Sequence, residues 1–225
     1  MRLEKASLKA INYSCRNFHY SKSVPVNPFA FSVFNTDNEW CGCILYSAGA
    51  NNNVGRPYKL MCGQIIELTR MALNGKQEST SKALSLSIKI LNKYLPLVKM
   101  IISFADTSQN HIGVIYQATN FYYIETVKTT PDYFFRGRWM HQRQINSLIG
   151  SLLKLPANTE RRKGADKIRY IYPLDKSLIP LCKSLSKPYP KKKTSDNSIT
   201  ANASGFQSEE EGQHHLIAQN SATTA

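Results

Sequence analysis

Apolar residues along the chain recur with helix-like and strand-like spacings in turn. The helix-like segments are residues 3–17, Ser79 or Ser81 to Leu95, 109–119 and 142–153. The strand-like segments are residues 30–34, 40–48, 64–73, 98–105, 121–128 and 168–172, and a turn-forming sequence at 35–38 separates the first two. This alternation predicts an α/β (α+β) fold in which a mixed central sheet is flanked by helices.

The most apolar run, residues 98–105, predicts the centre of that sheet. A continuously apolar strand is typical of one that is covered on both faces, and we expect it to lie parallel to 64–73 after a right-handed crossover. We place the folded domain at residues 1–186. Residues 187–225 are rich in Ser, Thr, Asn, Ala, Gln and Gly, which predicts a disordered C-terminal tail.

Composition excludes several classes of protein. A hydrophobic content of 42% over 225 residues excludes a wholly disordered chain, and five cysteines do not indicate a disulfide scaffold. No apolar run reaches the roughly 18 residues of a membrane helix, and the N-terminus has no signal-peptide core, so we expect a cytoplasmic protein. Cys41 and Cys43 alternate with Gly42 in a predicted strand. We expect both thiols on one face, in the core rather than on a metal ion.

The net charge of +14 is concentrated within the predicted domain. Residues 187–225 hold four Lys and four acidic residues, whereas residues 128–169 hold ten basic and three acidic residues. Tyr133, Phe134, Phe135 and Trp139 lie in that basic segment. Basic and aromatic side chains together are typical of nucleic-acid binding, because the charges displace counterions and the rings stack on bases. The alternative is a solvated basic face that only aids solubility.

Two polar side chains follow neighbouring predicted strands. Asp106 comes directly after the apolar run, and Ser81 starts the helix after the preceding strand. Ligands of open α/β sheets bind at the carboxyl ends of strands, and a helix start favours an anion, so we expect both side chains in one cleft. The alternatives are a plain helix N-cap for Ser81 and a turn residue for Asp106.

Three further side chains are candidates for binding. His19 and Tyr20 lie in a polar loop, and together with Asp106 they would suit a transition metal such as Fe(II). The alternative for His19 is a hydrogen-bonded structural role. Arg70, two positions beyond Leu68 on a predicted strand, is either a phosphate or carboxylate clamp or a surface salt-bridge partner.

Five blocks of sequence occur in an order that resembles a known family. The blocks are His19-Tyr-Ser-Lys22, Glu67-Leu-Thr-Arg70, Ser81-Lys-Ala-Leu-Ser-Leu-Ser-Ile88, Ser103-Phe-Ala-Asp106 and His111-Ile-Gly-Val-Ile-Tyr116-Gln-Ala-Thr-Asn-Phe121. Over about residues 10–172 the chain resembles the Mom family of phage DNA adenine-modification proteins. The resemblance does not extend to the tail.

The resemblance implies a GNAT-like (acetyltransferase-like) fold and a specific DNA modification. It implies conversion of the adenine N6 amino group in double-stranded DNA to the N6-carbamoylmethyl (acetamido) form, which blocks restriction endonucleases in the bacterial host cell. The catalytic residues that it implies are Arg70, Ser81, Asp106 and Tyr116, and the iron ligands that it implies are His19, Tyr20 and Asp106.

Two further expectations concern the residues that bind DNA and the molecule that donates the added group. We expect Lys128, Arg136, Arg138, Trp139 and Arg143 to hold DNA while the adenine is flipped out, at a cost of a few kcal/mol. The turn at 74–81 has one glycine and one acid, which makes a poor pyrophosphate cradle, so an acetyl-CoA-like donor stays open. Two rivals remain, a CoA-dependent N-acetyltransferase and a non-catalytic DNA-binding module, and a homodimer is also open.

Overall fold

A computed structural model describes residues 1–49 and 53–191. The strands are β1 (Arg2–Lys5), β2 (Phe29–Phe34), β3 (Trp40–Ser47), β4 (Ile65–Leu73), β5 (Met100–Asp106), β6 (Tyr122–Val127), β7 (Asp132–Phe135), β8 (Arg138–His141), β9 (Arg161–Arg162) and β10 (Lys167–Pro173). The helices are α1 (Leu8–Phe18), α2 (Thr80–Tyr94), α3 (Val114–Ala118), α4 (Gln142–Ile149) and α5 (Ile179–Leu185). From residue 192 onward the predicted tail lies outside the described residues.

A seven-stranded sheet forms the centre of the fold, in the order β1-β2-β3-β4-β5-β10-β6. Only β4 and β5 run parallel, and α2 connects them. Every other neighbouring pair in this sheet is antiparallel. The predicted fold class, a mixed sheet flanked by helices, and the predicted parallel pair are therefore confirmed.

Helices cover both faces of the large sheet. On one face, Leu84, Ile88 and Leu91 of α2 pack with Tyr116 of α3 in the largest buried cluster. On the other face, α1 covers a cluster around Cys43 and Leu45, and α5 belongs to a separate cluster around Ile102 and Ile171. Among the described residues, no helix is long and apolar enough to cross a membrane.

The helix predicted over residues 3–17 is wrong at its start. Residues 2–5 form β1, which pairs with β2 at the edge of the large sheet, and Ser7 then caps α1 by accepting the backbone N–H of Ala10. The sequence Arg-Leu-Glu-Lys favours a helix on its own. Pairing with β2 overrides that local preference, because a strand that completes a sheet gains tertiary contacts that propensity does not describe.

The prediction that Cys41 and Cys43 share one face is also wrong. Both are fully buried, as expected of core residues, but they lie in clusters on opposite faces. The register between β2 and β3 shifts after Val33, which pairs with Gly42, and Gly42 has a φ of 118°. This bulge breaks the alternation of side chains, so the two thiols point to opposite sides.

The part of the chain after β5 differs most from prediction. The helix predicted over 109–119 is a 3₁₀ turn, Thr107–Gln109, followed by the short α3, and the helix predicted over 142–153 ends where Gly150 adopts a positive φ. A second sheet, ordered β8-β7-β9, was not predicted, and neither was α5. Strands of two to four residues are too short to leave a period in the sequence.

Candidate active site

A cavity opens where the two parallel strands of the large sheet separate. Ladder pairs join β4 and β5 from Ile65 and Met100 to Leu68 and Ser103, and both strands continue beyond these pairs. The cavity has a volume of about 600 Å³ and is lined by the end of α1, the ends of β4 and β5, and residues 109–116. It is bounded by side chains from both faces of the sheet.

Asp106 lies at the rim of this cavity and is held by two kinds of contact. Its Oδ1 accepts hydrogen bonds from the backbone N–H and the hydroxyl of Ser108 at 3.0 and 2.7 Å, and its Oδ2 accepts one from the Tyr20 hydroxyl at 3.2 Å. Partial burial raises the pKa of Asp106, but Ser108, Lys167 and Tyr20 outweigh it and the pKa is lowered. Asp106 is therefore both the cap of a turn and an ionised carboxylate facing the cavity.

His19 and Tyr20 reach the same cavity from the end of α1. Their rings lie 4.3 Å apart, and Nδ1 of His19 accepts the backbone N–H of Ser21 at 3.2 Å. Burial, followed by the charges of Arg70, His111 and Lys22, lowers the pKa of His19 to about 4, so this imidazole is neutral at physiological pH. Burial and the carboxylate of Asp106 raise the pKa of Tyr20.

These side chains do not form a ready metal site. The part of the chain that the structure describes contains no group of three His, Cys, Asp or Glu residues that could hold a metal ion. A tyrosine ligand would have to lose its proton, whereas the raised pKa of Tyr20 and its hydrogen bond to Asp106 favour the protonated phenol. Iron at His19, Tyr20 and Asp106 stays a prediction, and no step below depends on it.

Arg70 is brought to the cavity by a β-bulge. Leu45 pairs with Arg70 and Tyr46 with Leu68, which leaves Thr69 as an extra residue in β4. The guanidinium donates to the Thr69 carbonyl at 2.7 Å and to the Ser23 hydroxyl at 3.3 Å, while its Nε is buried without a hydrogen-bond partner. No described carboxylate forms an ion pair with it, so Arg70 retains a donor for a polar ligand.

Tyr116 lines the cavity from α3, whereas Ser81 does not. Burial raises the pKa of Tyr116 to about 12, so its hydroxyl stays protonated. The prediction that Ser81 and Asp106 line one cleft is wrong. The loop before α2 packs on the β2–β3 turn, where the backbone N–H of Thr36 donates to the Glu78 carboxylate at 2.5 Å. Ser79 rather than Ser81 caps α2.

The basic segment is an insertion between β6 and β10, attached at the edge of the sheet that carries Asp106. Lys167, the first residue of β10, pairs with Asp106 on one side and with Val127 on the other. The hydroxyl of Thr107 donates to the Asp166 carbonyl at 2.6 Å and fixes the end of the insertion there. The insertion contains β7, β8, α4 and β9.

The predicted DNA-binding residues lie on several sides of this insertion. Lys128, Arg136, Arg138 and Arg143 are exposed. Arg138 and Arg143 line a shallow groove of about 370 Å³ beside α4. Trp139 is partly buried on the opposite side, with the Arg162 guanidinium 4.7 Å from its ring centre.

Sequence reasoning missed several residues at this site. Ser108 and Ser23 hold Asp106 and Arg70, His111 lines the cavity, and Lys167 lies beside Asp106. The position of Ser108, two residues after a strand-terminal Asp, is a signal for an Asx turn that could have been used. Lys167 lies beside Asp106 because two strands distant in sequence pair with each other, so no local sequence pattern predicts its position.

The similar solved structures include acetyltransferases. One is a chimera of the spermidine N-acetyltransferase SpeG of Vibrio cholerae with hSSAT, at 10% identity and a TM-score of 0.45, covering 77% of this chain and 96% of the other. Another is a Bacillus subtilis acetyltransferase in complex with CoA, at 12% identity and a TM-score of 0.42, covering 77% and 98%. TM-scores below 0.5 carry no argument about the activity.

The sequence comparison identifies the family. The model of the Mom protein family matches residues 1–191, and the chain belongs to that family. The chain is 30% identical over 152 residues to the methylcarbamoylase Mom of Escherichia phage Mu, and the match covers 66% of this chain. The match spans 63% of the length of that relative.

Proposed function

We propose that this protein modifies adenine in double-stranded DNA, converting its N6 amino group to the N6-carbamoylmethyl form. The observation that carries the proposal is the placement of Asp106: the carboxylate faces the cavity, and the basic insertion begins at the same edge of the sheet. Membership of the Mom family and the similarity to the phage Mu methylcarbamoylase support the same activity.

The polarity of the cavity suits this reaction. The N6 amino group of adenine donates hydrogen bonds, and the Asp106 carboxylate is an acceptor held in place by Ser108 and Tyr20. The guanidinium of Arg70, which lines the cavity and has no ion-pair partner among the described residues, would donate to an amide or carboxyl oxygen of the donor molecule. A bond forms between N6 and the methylene carbon of the carbamoylmethyl group while the bond from that carbon to the leaving group of the donor breaks. The leaving group takes the electron pair, and one N6 proton passes to water.

The target base must leave the duplex before this chemistry. Flipping a base costs a few kcal/mol of stacking and pairing, and contacts between basic side chains and phosphates offset that cost. Arg138 and Arg143, which line one groove of the insertion, are suited to such contacts. The flipped adenine would then enter the cavity beside Asp106.

The proposed product would protect phage DNA within the host cell. The N6 group of adenine lies in the major groove, where it is part of the pattern that base-reading proteins recognise. A carbamoylmethyl group there removes one donor and adds bulk. Restriction endonucleases that read this position should cleave the modified DNA poorly, and digestion of DNA from expressing cells would measure this.

The variant Asp106→Asn tests the proposal. Asparagine preserves the shape and can still cap the turn at Ser108, but it removes the charge that faces N6. We expect the variant to fold and bind duplex DNA while modified adenine disappears from the DNA of expressing cells. Modification at the wild-type level would contradict the role of Asp106, and metal analysis of the same two proteins tests the predicted iron site.

A further inference from the structure

The tip of the small sheet has an unusual backbone. The strands β7 and β8 form a hairpin whose last ladder pair joins Phe135 and Arg138. The two residues between them, Arg136 and Gly137, have φ values of 51° and 74°. Two positive φ angles in a two-residue loop are typical of a type I′ turn.

Arginine is an unfavourable residue at the first of these positions. A left-handed backbone crowds the side chain of most L-residues, and Asn, Asp or Gly is the usual occupant of this position in the turn. Arg136 is exposed, so burial in the core does not explain its presence. Backbone strain of this kind is retained mainly where the side chain serves a function.

The side chain of Arg136 also has no carboxylate partner. Arg162 and Arg169, elsewhere in the same region, pair with Asp132 and Glu125. Within residues 1–49 and 53–191, Arg136 forms no ion pair, and its recorded contact is the ring of Phe135, 5.3 Å from the guanidinium carbon. Its N–H groups are therefore not taken up by any described carboxylate and can bind a ligand.

The surroundings of the tip match duplex DNA. A two-stranded ribbon has the dimensions of the major groove, and an Arg side chain binds O6 and N7 of guanine with two hydrogen bonds. On the α4 side of the hairpin, Arg138 and Arg143 line a groove that would follow the phosphates. The hairpin belongs to the insertion whose end, at Lys167, pairs with Asp106, so DNA held by the hairpin and a base in the cavity would belong to one bound duplex.

We propose that the β7–β8 hairpin enters the major groove next to the target adenine and that Arg136 reads a guanine at a fixed distance from it. The inference rests on the proposed function, because it assumes duplex DNA as the substrate. It adds that a single side chain at the tip of this hairpin sets one position of the sequence context around the target adenine.

The variant Arg136→Asn tests the inference without destabilising the fold. Asparagine is favoured at this turn position, so the hairpin should be at least as stable as in the wild type. The assay selects bound duplexes from a pool with randomised bases around one adenine, and it needs no chemistry. We expect the wild type to prefer guanine at one position. In the variant, the ratio of binding to guanine over other bases at that position should be about 10-fold lower, since a good Arg–guanine pair contributes about this much discrimination.

Two control variants separate the possible outcomes. Arg138→Ala should weaken binding to all sequences alike, and Lys89→Ala, on α2, should change nothing. If Arg136→Asn weakens binding to all sequences alike, Arg136 contacts phosphate and the inference is overturned. An unchanged guanine preference also overturns it. Because the readout is binding, a failure of the inference differs from a failure of the proposed modification, which would leave adenine unmodified in wild-type cells.

Discussion

Gly113 links the wall of the cavity to the core of the large sheet, and its replacement should have a large effect. It has a φ of 79° and precedes α3, and an added Cβ would lie 2.4 Å from Cε2 of Tyr170. Tyr170 is fully buried, and its hydroxyl donates to the Ile112 carbonyl at 2.6 Å. The ring cannot move aside without losing packing, so Gly113→Ala should destabilise the protein and displace α3 with Tyr116.

The magnitude follows from two contributions. A left-handed φ costs alanine about 1–2 kcal/mol, and forcing an extra methyl group into a packed region costs about 1–3 kcal/mol. Gly63 provides a matched control, because its φ is 87° and no heavy atom lies within 4 Å of an added Cβ. Gly63→Ala should therefore be destabilised only by the cost of the left-handed φ. The difference of about 2 kcal/mol corresponds to roughly 4–8 °C in Tm.

Thermal and denaturant unfolding of the two variants, side by side, would measure this difference in the free energy of unfolding. We expect the denaturant midpoint of Gly113→Ala to fall well below that of Gly63→Ala, with similar slopes. If the two variants differ by less than about 0.5 kcal/mol, which is the scale of an ordinary surface substitution, the reasoning that Tyr170 restricts Gly113 is refuted.

Other substitutions test individual contacts. Tyr46 and Ser87 share a buried hydrogen bond of 2.7 Å, so Ser87→Ala should cost about 1–3 kcal/mol by stranding the Tyr46 hydroxyl. In the double variant, Tyr46→Phe should recover part of the lost free energy of unfolding, as measured by denaturant unfolding. If the effects of the two substitutions simply add, the hydrogen bond between Tyr46 and Ser87 is contradicted. Tyr20→Phe removes a half-exposed donor to Asp106, so the modification rate should fall about 3- to 10-fold while duplex affinity stays constant. An equal rate would show that Tyr20 does not position the carboxylate.

The centre of the fold could be predicted from sequence because its signals are local and strong. The periodic apolar residues of α2 and the continuous run ending at Asp106 predicted a helix and a buried strand, and the structure pairs that strand in parallel with β4. Asp106 was a site candidate because it follows that run, and ligands of open α/β sheets bind at the carboxyl ends of strands. Its partners Tyr20 and Ser108 confirm that it faces the cavity.

The rest depends on contacts between distant segments. Arg70 reaches the cavity only because Thr69 is an extra residue in β4, and the bulge is set by pairing with β3. Ser81 was placed in the cleft by analogy with ordinary βα units, but the loop before α2 packs on the β2–β3 turn instead. The small sheet has strands too short for periodicity, so only its charge and aromatic content indicated a binding role.

The central claim is that the cavity beside Asp106 modifies adenine in DNA. Mass spectrometry of nucleosides from the DNA of cells that express the wild-type protein tests it most directly. We predict a deoxyadenosine derivative in which a carbamoylmethyl group replaces one hydrogen on N6, and its absence from cells that express Asp106→Asn. Soluble wild-type protein together with only unmodified deoxyadenosine would contradict the claim.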